Sequence, residues 1–80
     1  MLEKIYEQYK EGLSKSDHKI LGYLMEHERE IQAVTAGDLS ERLGISTATI
    51  SRFWTKIGFK NLKELKQELY RRQEATPYSR

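Results

Sequence analysis

Within ten residues the chain brings together Ser46, Thr47, Ala48, Thr49, Ser51, Arg52 and Thr55. A guanidinium can grip guanine O6 and N7 through two parallel hydrogen bonds, and hydroxyls can bond to base edges or to phosphate oxygens. Short side chains let a helix lie close against the floor of a groove. On a helix Thr47, Ala48, Ser51, Arg52 and Thr55 share one face, which carries no acidic group and so suits an approach to phosphates. The spacing makes Thr47, Ala48, Ser51 and Arg52 the candidate base readers, with Arg52 the strongest candidate for guanine. Thr35, Ser46, Thr49, Thr55, Lys56, Lys60 and Lys63 are the candidate phosphate contacts. The alternative is the solvated face of an ordinary helix, although such a face more often mixes in Glu.

Two short helices must position this face. Ser46 is a helix cap, and Ile50, Phe53 and Ile57 recur at i, i+3 and i+7, so they turn the opposite face inward. Upstream, Thr35 and Asp38 form an S/T-x-x-D start signal, with Asp38 in the first turn where the helix dipole favours a negative charge. That helix runs to Leu43 with Leu39 and Leu43 inward, and Ser40 is small where the next helix crosses. Gly44 supplies a positive φ, which costs a residue with a Cβ about 1–2 kcal/mol, and Ile45 plugs the gap between the helices. Residues 38–57 therefore read as a helix-turn-helix whose second helix enters a major groove.

The remaining segments frame this unit. Leu2, Ile5, Tyr6 and Tyr9 form the apolar stripe of a first helix ended by Gly12, suited either to the domain's own core or to dimerisation with a second copy. Ser14 and Asp17 resemble a capping box opening a second helix, although the register can also begin at Ser16; Ile20, Leu21, Leu24 and Met25 are its buried stripe. His18 and His27 read as surface residues, and no metal site or cofactor is expected. Residues 28–34 predict a short helix or a turn and a half, tucked in by Ile31 and Val34. Trp54 is expected to pack at the core edge, with a DNA or subunit contact as the other options. Gly58 closes the helix before it, and Phe59 anchors the chain. Asn61 then caps a last helix with Leu62, Leu65 and Leu69 inward. After Arg72 the pattern fades, and residues 76–80 read as the start of a linker.

Eighty residues support one small all-α bundle of about five helices, spanning residues 1–75. There is no cysteine, no membrane-spanning apolar run and no secretory leader pattern, so a cytoplasmic protein is expected. The charge is divided. Residues 1–45 hold six Lys/Arg and nine Asp/Glu, a net of −3, whereas residues 46–72 hold seven Lys/Arg and two Glu, a net of +5. A basic half that begins at the hydroxyl-rich helix is the footprint of a nucleic-acid binder, though two oppositely charged solvated faces would look the same. No Ser/His/Asp arrangement or glycine-rich phosphate loop suggests catalysis, so no enzyme is expected. RNA is disfavoured because its A-form major groove is too narrow for a helix. The competing function is a helical protein-interaction or dimerisation module that does not bind DNA.

Residues 13–69 closely resemble the N-terminal DNA-binding domain of the RpiR family of bacterial transcription regulators. The resemblance rests on Ser14-Lys15-Ser16-Asp17-His18-Lys19-Ile20, on Asp38-Leu39, on Leu43-Gly44-Ile45-Ser46-Thr47-Ala48-Thr49-Ile50-Ser51-Arg52-Phe53, on Lys56-Ile57-Gly58-Phe59-Lys60 and on Glu64-Leu65-Lys66. Trp54 stands where the family often has a small residue such as Cys, and Asn61 where it often has Gly. The resemblance implies a repressor or activator of sugar-catabolism genes. It also implies a homodimer on duplex DNA and a phosphosugar effector bound by a C-terminal sugar-isomerase-like domain, which 80 residues cannot contain.

Overall fold

A computed structural model describes residues 1–74. The elements in order are α1 (Leu2–Tyr9), a 3₁₀ turn (Lys10–Gly12), α2 (Lys15–Glu26), a longer 3₁₀ segment (Glu28–Ala33), α3 (Ala36–Leu43), α4 (Thr47–Lys56) and α5 (Leu62–Glu74). No strand occurs among the described residues. The all-α bundle predicted from periodicity is the fold observed, with the 28–34 segment wound as 3₁₀ helix. The expected linker start at 76–80 lies outside the described residues.

Local chemistry sets the helix starts. Ser14 Oγ accepts the Asp17 N–H at 3.2 Å while Asp17 Oδ2 accepts the Ser14 N–H at 3.0 Å, which closes a capping box on α2 and fixes its start at Ser14 rather than Ser16. Thr35 and Asp38 repeat this arrangement on α3 at 3.0 and 3.2 Å. Ser46 Oγ accepts the Thr49 N–H on α4, and Asn61 Oδ1 accepts the Glu64 N–H on α5. Each such cap is worth about 1 kcal/mol. Gly44 ends α3 at φ +68°, and Gly58 follows α4 at φ +90°.

The buried faces meet in one core. Ile20, Leu21 and Leu24 of α2, Leu39 of α3, Ile50, Phe53 and Trp54 of α4, and Leu65 and Leu69 of α5 are all buried, joined by Ile31, Val34, Ile45 and Ile57 from the connections. Met25, Leu43, Phe59 and Leu62 pack against this core but are only half-buried, so Met25 and Leu43 lie at the margin of stripes expected to be fully inside. Trp54 moves the other way. At 3% exposure it is a core residue, set edge-on to Phe53 at a ring separation of 5.2 Å.

Of the two options open for the first helix, its own core takes part of the stripe. Leu2 is fully buried and Ile5 is 8% exposed, so both are spent in the domain's own core and are not available as dimerisation contacts while α1 stays docked. Tyr6 and Tyr9 remain half-buried. Tyr6 meets the His18 ring edge-on at 5.9 Å, and the Tyr9 hydroxyl stands 3.5 Å from where a Cβ on Gly58 would lie. The end of α1 therefore lies beside the turn that follows α4.

Candidate nucleic-acid interface

Helix α4 is held from behind and open in front. It packs against α2, α3 and α5, and Ile50, Phe53, Trp54 and Ile57 point into the core. Thr47, Ala48, Ser51, Arg52 and Thr55 are exposed, as is Ser46 at its cap, and Thr49 is half-buried. All four candidate base readers thus lie on the solvent face of one helix.

The hydroxyls on this face are partly committed to the helix. Ser46 Oγ donates to Thr49 Oγ1 at 3.0 Å while it caps the Thr49 N–H. Thr55 Oγ1 donates to the Arg52 carbonyl at 2.9 Å. Arg52 reaches back toward Thr49 Oγ1 at 3.5 Å, the outer limit of a hydrogen bond, so its guanidinium is only loosely held. A loosely held Arg on an exposed face gives up little on turning toward a base.

The outlying candidates separate into two kinds. Thr35, Lys60 and Lys63 are exposed. Thr35 is occupied as the cap of α3. The Lys60 N–H donates to Glu64 Oε1 at 2.8 Å, so the backbone donors at 60 and 64 are already used within the turn leading into α5. A phosphate there would meet the lysine ammonium groups rather than those two N–H groups. Lys56 differs from every other candidate: its Nζ donates to Asp17 Oδ2 at 2.6 Å. The Lys56 ammonium is thus paired with a buried carboxylate, while its side chain stays 47% exposed.

Asp17 is the residue that sequence reasoning missed. Its capping role was legible, but its burial and its lysine partner were not. Desolvation pushes its carboxyl upward, yet the hydrogen bonds from Lys56 and Ser14 outweigh that and hold it below its ordinary value of 3.8. A second unread contact joins Gln32 and Lys66. Gln32 Nε2 donates to the Lys66 carbonyl at 3.0 Å and Lys66 Nζ donates to the Gln32 carbonyl at 3.2 Å, pinning α5 to the 3₁₀ segment.

A family model described as the helix-turn-helix domain of the RpiR family matches residues 1–75. The chain belongs to this family. It is a DNA-binding domain of the transcription-regulator type, and the RpiR helix-turn-helix family is not an enzyme class. In this RpiR-family domain α3 and α4 are the paired helices and Gly44 is the turn between them. No solved structure matches the chain. No helix among the described residues is long and apolar enough to cross a membrane.

Proposed function

We propose that this RpiR-family domain reads duplex DNA sequence-specifically by inserting α4 into the major groove. In this reading Thr47, Ala48, Ser51 and Arg52 face base edges, and Thr35, Ser46, Thr49, Thr55, Lys60 and Lys63 contact phosphates. The observation that carries it is the division of α4: three buried apolar residues, joined by Ile57 at the C-cap, lie on one side, and an exposed, acid-free, hydroxyl-rich face with one loosely held Arg lies on the other. Two copies would occupy half-sites roughly 34–36 Å apart on one face of the duplex. Because Leu2 and Ile5 are committed to the core, pairing through α1 would rest on Tyr6 and Tyr9. Within a longer regulator the domain would serve genes of sugar or phosphosugar metabolism in the cytoplasm, with the effector bound by a separate C-terminal domain.

The test is an amide NMR titration with a random-sequence duplex at low salt, followed by selection of a preferred duplex. Shifts at Ser46–Lys56 and Lys60–Lys63 that reverse with salt are expected. Arg52→Ala should then cost about 1–3 kcal/mol on the preferred duplex and relax preference at one base pair. Equal losses on all sequences would contradict base reading by Arg52.

A further inference from the structure

Asp17 is the single buried charged residue among the described residues, at 1% exposure. A carboxylate is stable there only if its charge is met, because desolvation is costly. Closing a capping box does not require that burial. Asp38 closes the equivalent box on α3 while half-exposed, and no ion pair is formed to it. Asp17 differs in one respect: the same Oδ2 that caps α2 also takes Lys56 Nζ at 2.6 Å, from a residue 39 positions along the chain. Lys56 is the last residue of α4, and it follows Arg52 by four positions, which puts the two cations on one stripe of the helix.

This arrangement has two consequences for DNA reading. The contact joins the C-terminal turn of α4 to the N-terminal turn of α2, so it sets where the reading helix ends against its scaffold. It also occupies a lysine that would otherwise stand one turn from Arg52. A free ammonium there would hold phosphate on any sequence, adding affinity without discrimination. We propose that Asp17 is a positioning residue for DNA reading: it clamps Lys56 to seat the end of α4 on α2, and it withdraws that lysine from the phosphate-binding set. The proposal rests on α4 being the major-groove helix.

The test uses the whole 80-residue chain and two duplexes, one recovered by selection from a randomised pool and one scrambled from it, each titrated across a salt series by fluorescence anisotropy. Lys56→Met should leave affinity and salt slope on the scrambled duplex unchanged. On the selected duplex it should lose at least about fivefold, the lower end of what one bidentate base contact is worth. Asp17→Asn frees the lysine, so binding to the scrambled duplex should tighten and its salt slope should steepen by about 0.9. Lys56→Arg keeps the ion pair and should restore discrimination. If Lys56→Met does not fold by circular dichroism, the double variant Asp17→Asn/Lys56→Met leaves no buried unpaired charge and should show the same loss of discrimination. If the Lys56→Met salt slope flattens by about 0.9 and both duplexes weaken alike, Lys56 is a phosphate ligand and the proposal is overturned. Unchanged discrimination in Lys56→Met, or in the double variant, overturns it as well. A wild-type chain that recovers no duplex from the pool and binds no duplex at low salt would instead refute major-groove reading itself.

Discussion

Gly44 and Gly22 make opposite predictions for the same chemical change. Gly44 ends α3 at φ +68° and ψ +34°, and a Cβ built on it meets nothing within 4 Å. The cost of Gly44→Ala is therefore backbone strain alone, about 1–2 kcal/mol for an L-residue in the left-handed region. The stiffer unfolded chain offsets about 0.4–1 kcal/mol of this, leaving a net loss of roughly 1 kcal/mol. Gly22 lies inside α2, is exposed, and also has open space around its Cβ position. Gly22→Ala should gain about 0.8–1 kcal/mol from helix propensity. For a domain of this size each kcal/mol moves Tm by about 4–8 °C. Thermal melts followed by circular dichroism should therefore place Gly44→Ala several degrees below the wild type and Gly22→Ala several degrees above it. If both variants move the same way, or if Gly44→Ala melts at or above the wild type, the assignment of strain to the turn between α3 and α4 is wrong.

Other perturbations follow from the same structure. Lys63→Ala should weaken every duplex alike and flatten the salt slope by about 0.9; an unchanged slope in anisotropy titrations would remove Lys63 from the phosphate contacts. Asp17 has its carboxyl lowered in the folded state, so its contribution to stability is full above its ordinary value of 3.8 and is lost as pH falls through the lowered value. Melts taken through that acid range should show the wild type losing stability that Asp17→Asn never had. Glu68 is also lowered, chiefly by the hydrogen bond from Arg71, and its effect is common to both chains and cancels in the comparison. Phe53 is fully buried at the centre of the core. Phe53→Ala should cost about 3–5 kcal/mol, against a total of roughly 4–12 kcal/mol for 80 residues. Urea titration should place its midpoint far below the wild type, and a midpoint near the wild type would mean that α4 is not packed as observed.

The parts of the fold that were legible in advance are those decided within one turn of chain. The capping boxes at Ser14–Asp17 and Thr35–Asp38, the cap at Ser46 and the left-handed Gly44 each depend on residues three or four apart. The i, i+3, i+7 spacing of Ile50, Phe53 and Ile57 likewise fixes which side of α4 is inward, and so which side shows Ser51 and Arg52. Where two outcomes satisfied the same pattern, the sequence did not choose. The stripe of Leu2 and Ile5 suits a core or a partner equally well, because periodicity records that a face is buried and not what buries it.

The amino-acid sequence by itself determined the all-α class, the starts of α3, α4 and α5, the tight turn and the exposed hydroxyl–arginine face, because these follow from short-range hydrogen bonds and helical geometry. The tertiary structure alone decided that α1 closes over its own domain, that Trp54 is interior, that Gln32 and Lys66 pin α5, and that Asp17 holds Lys56. These contacts join residues far apart in the chain, 34 apart for Gln32–Lys66 and 39 apart for Asp17–Lys56. Nothing in the local pattern around Asp17 signals which cation will meet it. That pairing is set only when α2 and α4 pack across the core and desolvate the carboxylate between them.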